Sequence, residues 1–533
     1  MNPSPLIHPN SQYQRHTFVL KAFKNSQLIK YPKLTQLYFN PTSHNYLDPK
    51  VFPKLCQGLK TLKFLNVLSL DFSYTSELND RSLHELSFAL RKLHSLTILR
   101  LNFKKNYNIT GNGIAKLLKT VKKNRFLSEL YLDFSGCGRV KYEHLESIYD
   151  SISSMKLLTS FHLYHFDIFV HDSEGMKFAQ NLATLGRLHY MKDLFIDFNL
   201  QQTLNGNDIT ALSQSLRRMV RLSIVSLSFG DSSHIHKTSL ENLASSLRSL
   251  PKIQKLHLHF PPMYGLSKKH FDVISKAFEH SSVLSNLILD FSRSKPAEKL
   301  ETENLFLSIQ TLTNLSKLDL NFSFCPHPDN QTLQSLSQCL RNLRNLSSLK
   351  LNFSECPLIN GEAFIHLADI LKNLTSLETF ELNLIKRSSK IGFLQFSEAL
   401  LSQSNLSRLS LNISQSKDFG NKEIDSLTKS FENFPNLKIL ELNLSCCPHI
   451  TNTGLNTLTS CLCKLQSLNT LDLNLFGCQN ITIEGVKFLK SHLSLLGSLK
   501  RTSLNFPSTL SSSGSIQNKP QHDDSKNSNC SLM

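Results

Sequence analysis

One phrase recurs along this chain at a fixed interval. In LKILELNLSCC (437–447), Leu440, Leu442 and Leu444 alternate with Glu441, Asn443 and Ser445. Close copies stand at LSSLKLNFSEC (346–356) and LNTLDLNLFGC (468–478). The first apolar residues of the copies are Leu34, Leu65, Leu96, Leu127, Leu158, Met191, Leu222, Ile253, Leu284, Leu315, Leu346, Leu377, Leu406, Leu437, Leu468 and Leu499. That is sixteen copies, and thirteen of the fifteen steps are 31 residues. The other two are 33 (Leu158 to Met191) and 29 (Leu377 to Leu406). A period held this tightly makes each copy one structural unit stacked on its neighbours. The 533 residues would otherwise suggest several domains.

The second half of each phrase alternates with period two, so it is a strand. A turn follows, rich in Cys, Asn or Gly, as in CCPHITNTG (446–454) and GCQNITIEG (477–485). Then comes a helix: Leu455, Leu458, Leu462 and Leu465 form one stripe, as do Leu83, Leu86, Leu90 and Leu93. The expected fold is therefore α/β, with a parallel sheet on the concave side and helices on the convex side.

These residues resemble those of leucine-rich repeat proteins. The pattern IxxLxLxxCPHITNTGL, running from Ile439 through Leu442, Leu444 and Cys447 to Leu455, resembles the cysteine-containing subfamily. The 31-residue unit with a full helix resembles the ribonuclease-inhibitor type. The resemblance covers about residues 34–506 and implies a horseshoe-shaped solenoid. Only Cys137, Cys325, Cys356, Cys447 and Cys478 hold the subfamily's Cys position, and they are expected to be small buried residues packing the turn. Cys461 and Cys463 lie two apart on a helix, so they diverge and do not chelate.

Two columns of the strand face the concave side. One reads Asn40, Asp71, Asn102, Asp133, Tyr164, Asp197, Ser228, His259, Asp290 and then Asn at 321, 352, 383, 412, 443, 474 and 505. Stacked about 4.8 Å apart, these side chains are expected to bond one another as a ladder. The column two residues earlier varies, and a column free to vary inside a fixed frame suits recognition. Tyr131, His162, Tyr164, Phe166, Phe195, His257 and His259 would share one face, a candidate hot spot for a protein partner. Asp319, Glu381, Glu441 and Asp472, with Lys350 among them, would attract a basic partner segment. The 33-residue step lies beside the aromatic group, at FDIFVHDSEG (166–175), where an insertion could reach over the site. His257 and His259 face the same way, but no third ligand of fitting type sits in the adjacent strands, so no metal is expected.

No Gly-rich phosphate loop, HExxH, GxSxG, HRD or DFG occurs, and no catalytic residue or cofactor is expected. The net charge of +18 is scattered on helices, as at Lys122, Lys123, Arg125, Arg217, Arg218, Lys268 and Lys269. Without a basic strip interleaved with aromatics, it reads as a solvated convex surface rather than a nucleic-acid site. Eleven cysteines and no secretory signal point to reduced thiols and the cytoplasm.

Residues 1–33 include an apolar piece, HTFVLKAFKNSQLIKY (16–31), suited to capping the first strand. Residues 507–533 form a Ser- and Asn-rich tail expected to be disordered. Its end, Cys530-Ser531-Leu532-Met533, fits a prenylation motif, giving reversible membrane association through Cys530. The expected function is a non-enzymatic intracellular scaffold binding a protein partner on the concave face. The alternatives are a ubiquitin-ligase substrate-recognition subunit without its own F-box, or a regulator of a small GTPase.

Overall fold

The computed structural model describes residues 17–20, 33–40, 51–138, 140–164, 175–198, 204–230, 235–260, 267–294, 302–385 and 392–507. Seventeen strands lie among them. The first nine are β1 Thr17–Leu20, β2 Gln36–Phe39, β3 Val67–Asp71, β4 Ile98–Asn102, β5 Glu129–Asp133, β6 Ser160–Tyr164, β7 Asp193–Asp197, β8 Ile224–Ser228 and β9 Lys255–His259. The rest are β10 Asn286–Asp290, β11 Lys317–Asn321, β12 Ser348–Asn352, β13 Thr379–Asn383, β14 Arg408–Asn412, β15 Ile439–Asn443, β16 Thr470–Asn474 and β17 Arg501–Asn505. One helix follows each strand from β2 to β16. The first eight are α1 Val51–Leu59, α2 Asp80–Leu90, α3 Gly111–Val121, α4 Tyr142–Ser153, α5 Gly175–Thr184, α6 Gly206–Arg218, α7 Lys237–Arg248 and α8 Lys268–Ser275. The other seven are α9 Glu303–Gln310, α10 Asn330–Leu340, α11 Ala363–Asn373, α12 Phe393–Leu400, α13 Asn421–Phe431, α14 Asn452–Leu462 and α15 Ile483–Leu493.

Each strand pairs in parallel with the next in sequence, from β1–β2 to β16–β17. The sixteen strands β2 to β17 match the sixteen repeated phrases, and β1 adds one strand beside β2. Register keeps equivalent residues together: Leu68 faces Leu99, and Asn443 faces Asn474. The fold is an α/β repeat solenoid. Strands stack at about 4.8 Å but helices need about 10 Å. One strand and one helix per unit therefore curve the array with the sheet inside.

In β15, Leu440 and Leu442 are buried while Ile439, Glu441 and Asn443 stay half-exposed. Leu437, Leu444, Leu455, Leu458 and Leu462 complete that unit's core. The residue after the Asn column adds a second apolar spine, of phenylalanine. Phe72 stacks on Phe103 at 5.9 Å, Phe103 on Phe134 at 5.6 Å, and Phe260, Phe291, Phe322 and Phe353 follow one another at 5.4–5.7 Å. All of these rings are fully buried.

The Asn column is not the expected ladder. The side-chain oxygens of Asn321, Asn352, Asn412, Asn443 and Asn474 accept from the backbone N–H two residues further along their own chain, at 3.0–3.2 Å. Asp71, Asn102, Asp133 and Asp290 do the same. Among the described residues these five Asn side chains do not bond one another. An Asn at this point is a strand terminator: its short side chain mimics a backbone turn. Three residues after it the backbone goes left-handed. Tyr74, Lys105, Arg293, Phe324, Glu355, Gln415 and Cys446 have φ of 55–61° there, and Gly136 and Gly477 have 71° and 76°.

The turn cysteines are hydrogen-bond donors as well as packing residues. Cys137, Cys325, Cys356 and Cys478 each donate to a carbonyl of the preceding unit at 3.0–3.2 Å, and Cys447 does so at 3.6 Å. Asn106 takes the same role, donating to Phe72 O at 2.8 Å. Burial pushes the thiols of Cys325 and Cys447 up to about 12 and that of Cys478 up to about 11, so they keep the proton they donate.

Candidate functional site

Helices cover one face of the sheet; among the described residues nothing covers the other. The half-exposed residues of each strand stand there in three columns, as the period of two requires. The predicted residues stand in the last two columns. The first, at the start of each strand, holds Asp193 and Arg408, which prove to be partners of predicted residues, and Glu129, which pairs with Arg100 at 3.4 Å.

Parallel register brings Tyr131, His162, Tyr164 and Phe195 together from β5, β6 and β7. Ring centroids lie 5.6 Å apart for Tyr131 and Tyr164, 4.8 Å for Tyr164 and Phe195, and 5.5 Å for His162 and Phe195. Burial, then the neighbouring Tyr164, pushes the Tyr131 phenol up. Burial, then the neighbouring Asp197, pushes the Tyr164 phenol up to about 12, so both hydroxyls stay neutral donors at ordinary pH. His162 Nε2 lies 2.8 Å from Asp193 Oδ2, which also accepts from Ser160 Oγ at 3.1 Å. The cluster is thus rigid, half-buried and polar at its margins. Phe166 and the 166–174 insertion lie outside the described residues.

His257 and His259 stand on β9, separated from the aromatic cluster by Ser226 and Ser228 of β8. Ser226 Oγ is 3.0 Å from His257 Nδ1, and Ser228 Oγ is 2.7 Å from His259 Nδ1. His259 Nε2 reaches Asp290 Oδ2 at 3.2 Å, so both of its ring nitrogens are engaged within the protein. Burial, then His259, lowers His257 to about 4 and keeps it neutral. Ser228, His259 and Asp290 thus form a Ser–His–Asp chain running across β8, β9 and β10, and His257 stands beside it on Ser226.

The acidic half is partly self-neutralised. Glu381 pairs with Lys350 at 2.8 Å and with Arg408 at 2.9 Å, and Arg408 also grips both oxygens of Glu441 at 2.8 and 2.9 Å. Arg408 belongs to the overlooked first column; the signal for it was the same period of two carried one step back. Asp472 remains exposed. Burial pushes the Asp319 carboxyl up to about 6, against the pull of Lys350. Free negative charge on this face is therefore narrower than the sequence suggests.

Fold and face together define a repeat solenoid with one uncovered sheet, patterned from an aromatic zone to an ion-paired one. No protein-family model matches the chain, and no curated protein matches it. No helix among the described residues is long and apolar enough to cross a membrane.

Proposed function

We propose that the chain is a leucine-rich repeat protein of the ribonuclease-inhibitor-like and cysteine-containing kind, acting as a non-enzymatic scaffold that binds a protein partner on its open sheet face. The observation that carries this reading is the cluster of Tyr131, His162, Tyr164 and Phe195. Its rings pack on one another with no helix of the described residues above them, and tyrosine hydroxyls and a histidine–aspartate pair supply polar contacts at the margin. Rigid aromatics of this kind give large contact area at low entropic cost. His257, His259 and Asp319, Glu381, Glu441 and Asp472 extend the surface along the array. No disulfide joins the ten described cysteines, which suits a reducing, cytoplasmic setting. A prenyl group on Cys530, which lies outside the described residues, would add reversible membrane association.

The test is co-purification from the native cell of the intact chain beside a variant carrying Tyr131→Ser, Tyr164→Ser and Phe195→Ser. The proposal expects a specific partner lost at least tenfold in the variant, with the melting temperature lowered by only a few degrees. Unchanged partners with a folded variant would refute the aromatic face as the binding site.

A further inference from the structure

The solenoid's fifteen helix-to-strand turns all meet the sheet along one edge, because every strand is parallel and in register. The first seven turns are residues 59–66, 90–97, 121–128, 152–159, 185–192, 216–223 and 247–254. They hold fifteen Lys and Arg and no Asp or Glu. The other eight are 278–285, 309–316, 340–347, 371–378, 400–407, 431–438, 462–469 and 493–500. They hold six Lys and Arg and three Glu. Basic residues complement the dipole at a helix C-terminus. All fifteen helices end at this edge, however, so dipole complementation alone would not gather the charge in the first seven turns.

Of the fifteen cations, all but Lys122 are exposed. Among the described residues only Lys122 and Arg187 reach a carboxylate, both that of Asp150, at 3.2 and 3.6 Å. Apolar side chains project between the charges: Phe64 is 60% exposed, Phe126 65%, Leu157 56%, Tyr190 45% and Val220 54%. The contrast with the later units is specific. Phe64, Phe126, Leu157 and Tyr190 stand immediately before the first apolar residue of their units. At that place seven of the eight later units have Asn or Ser, Val283 being the exception, and the amides of Asn314, Asn345 and Asn405 donate to carbonyls of the preceding turn at 2.7–3.1 Å. The later residues tie the turns together, and the earlier ones point outward. An open cleft of about 350 Å³ lies between the ends of α2 and α3, with Arg91, Lys123, Arg125 and Phe126 around a floor that includes Leu93 and Leu96.

We propose that this edge docks on an anionic phospholipid membrane surface. The cations would sit among the headgroups, and Phe64, Phe126, Leu157, Tyr190 and Val220 would enter the interface. Seven adjacent turns span about 30 Å at the strand ends and up to about 60 Å at the helices. They share one edge of the array, which suits a broad surface better than a strand held in a groove. Leu157 and Val220 have no flat ring to stack on a base, whereas both gain from leaving water at the acyl boundary. Interfacial basic residues gain from anionic lipid, and the attraction falls with salt.

The test is sedimentation of the full chain, made in bacteria so that Cys530 carries no prenyl group, with vesicles of phosphatidylcholine alone or with about one third phosphatidylserine. The expected result is binding to the anionic vesicles only. K123E/R125E/R218E/R221E should weaken it at least about a hundredfold, at roughly fivefold or more per charge. F64S/F126S/L157S should weaken it at least tenfold on the same vesicles. Both variants are checked for a wild-type melting transition; if the quadruple variant does not fold, the single changes R125E and R221E replace it. Absence of binding to anionic vesicles at 0.1 M salt, or equal binding to neutral ones, would overturn the proposal. So would tighter binding to a 20-nucleotide RNA or duplex DNA that the charge variant abolishes and the apolar variant spares; that result would assign the edge to nucleic acid.

Discussion

Gln415 and Gly477 occupy the same left-handed point of the turn in different units, with φ of 59° and 76°. Glycine accepts that conformation freely, and other residues carry a cost of about 1–2 kcal/mol, offset in part by glycine's greater unfolded-state entropy. Gln415→Gly should therefore stabilise the protein by about 0.5–1 kcal/mol in chemical denaturation. Gly477→Ala should destabilise it by more, since a Cβ there would lie 2.7 Å from Cys446 Sγ. A second residue-scale prediction concerns Asp208, buried near the start of α6 with one oxygen unpartnered. Burial pushes its carboxyl up to about 7, although Asn205 N–H donates to it. A folded-state pKa above the unfolded one means that stability falls as pH rises from about 4 through 7. Asp208→Asn should then gain on the order of 1–3 kcal/mol at pH 8 and almost nothing at pH 4. An equal gain at both pH values would show that ionisation is not the cause. At this scale the sequence displayed the Asn column plainly but not its use. The bonding partner is the residue's own backbone, and identity alone does not distinguish a local turn from a ladder.

Strands and helices were the most legible level, because the periods of 2 and 3.6 alternate without ambiguity and the 31-residue spacing repeats them. What composition concealed was the second spine. Thirty-five phenylalanines are visible in the chain, but their stacking follows only once register is known. Phe322 packs between Phe291 and Phe353 at 5.4 and 5.5 Å. Phe322→Ala should cost about 3–5 kcal/mol. Because each unit contacts only its neighbours, hydrogen exchange should speed up chiefly in β10 to β13. Uniform acceleration from β2 to β17 would mean that the array unfolds as one body. The candidate site was legible in two of its three columns. Tyr131, His162, Tyr164 and Phe195 came together as expected, whereas Asp193 and Arg408 were missed because a strand's first residue lies in the first half of the phrase, ahead of its alternating run. Arg408 matters most: held by Glu381 and Glu441, it turns an acidic stripe into an ion-paired one.

Across the whole molecule, curvature follows from one strand and one helix per 31 residues, and so does the division of surfaces. The open sheet face carries the aromatic cluster and the Ser–His–Asp chain; the edge where strands begin carries the first-half charge. In the sequence that charge looked scattered over a convex surface, since residues 31 apart are neighbours only after the array is built. The central claim, that the open face of β5 to β7 is the recognition surface, is tested most directly by site-specific photocrosslinking. A photoreactive phenylalanine analogue is placed at Phe195 and, separately, at Leu307 on α9, which is 58% exposed on the helical side. Crosslinks to one defined protein from position 195 and not from 307 are the expected result. Crosslinks from 307 alone, or none from 195 while the partner still co-purifies, would contradict it.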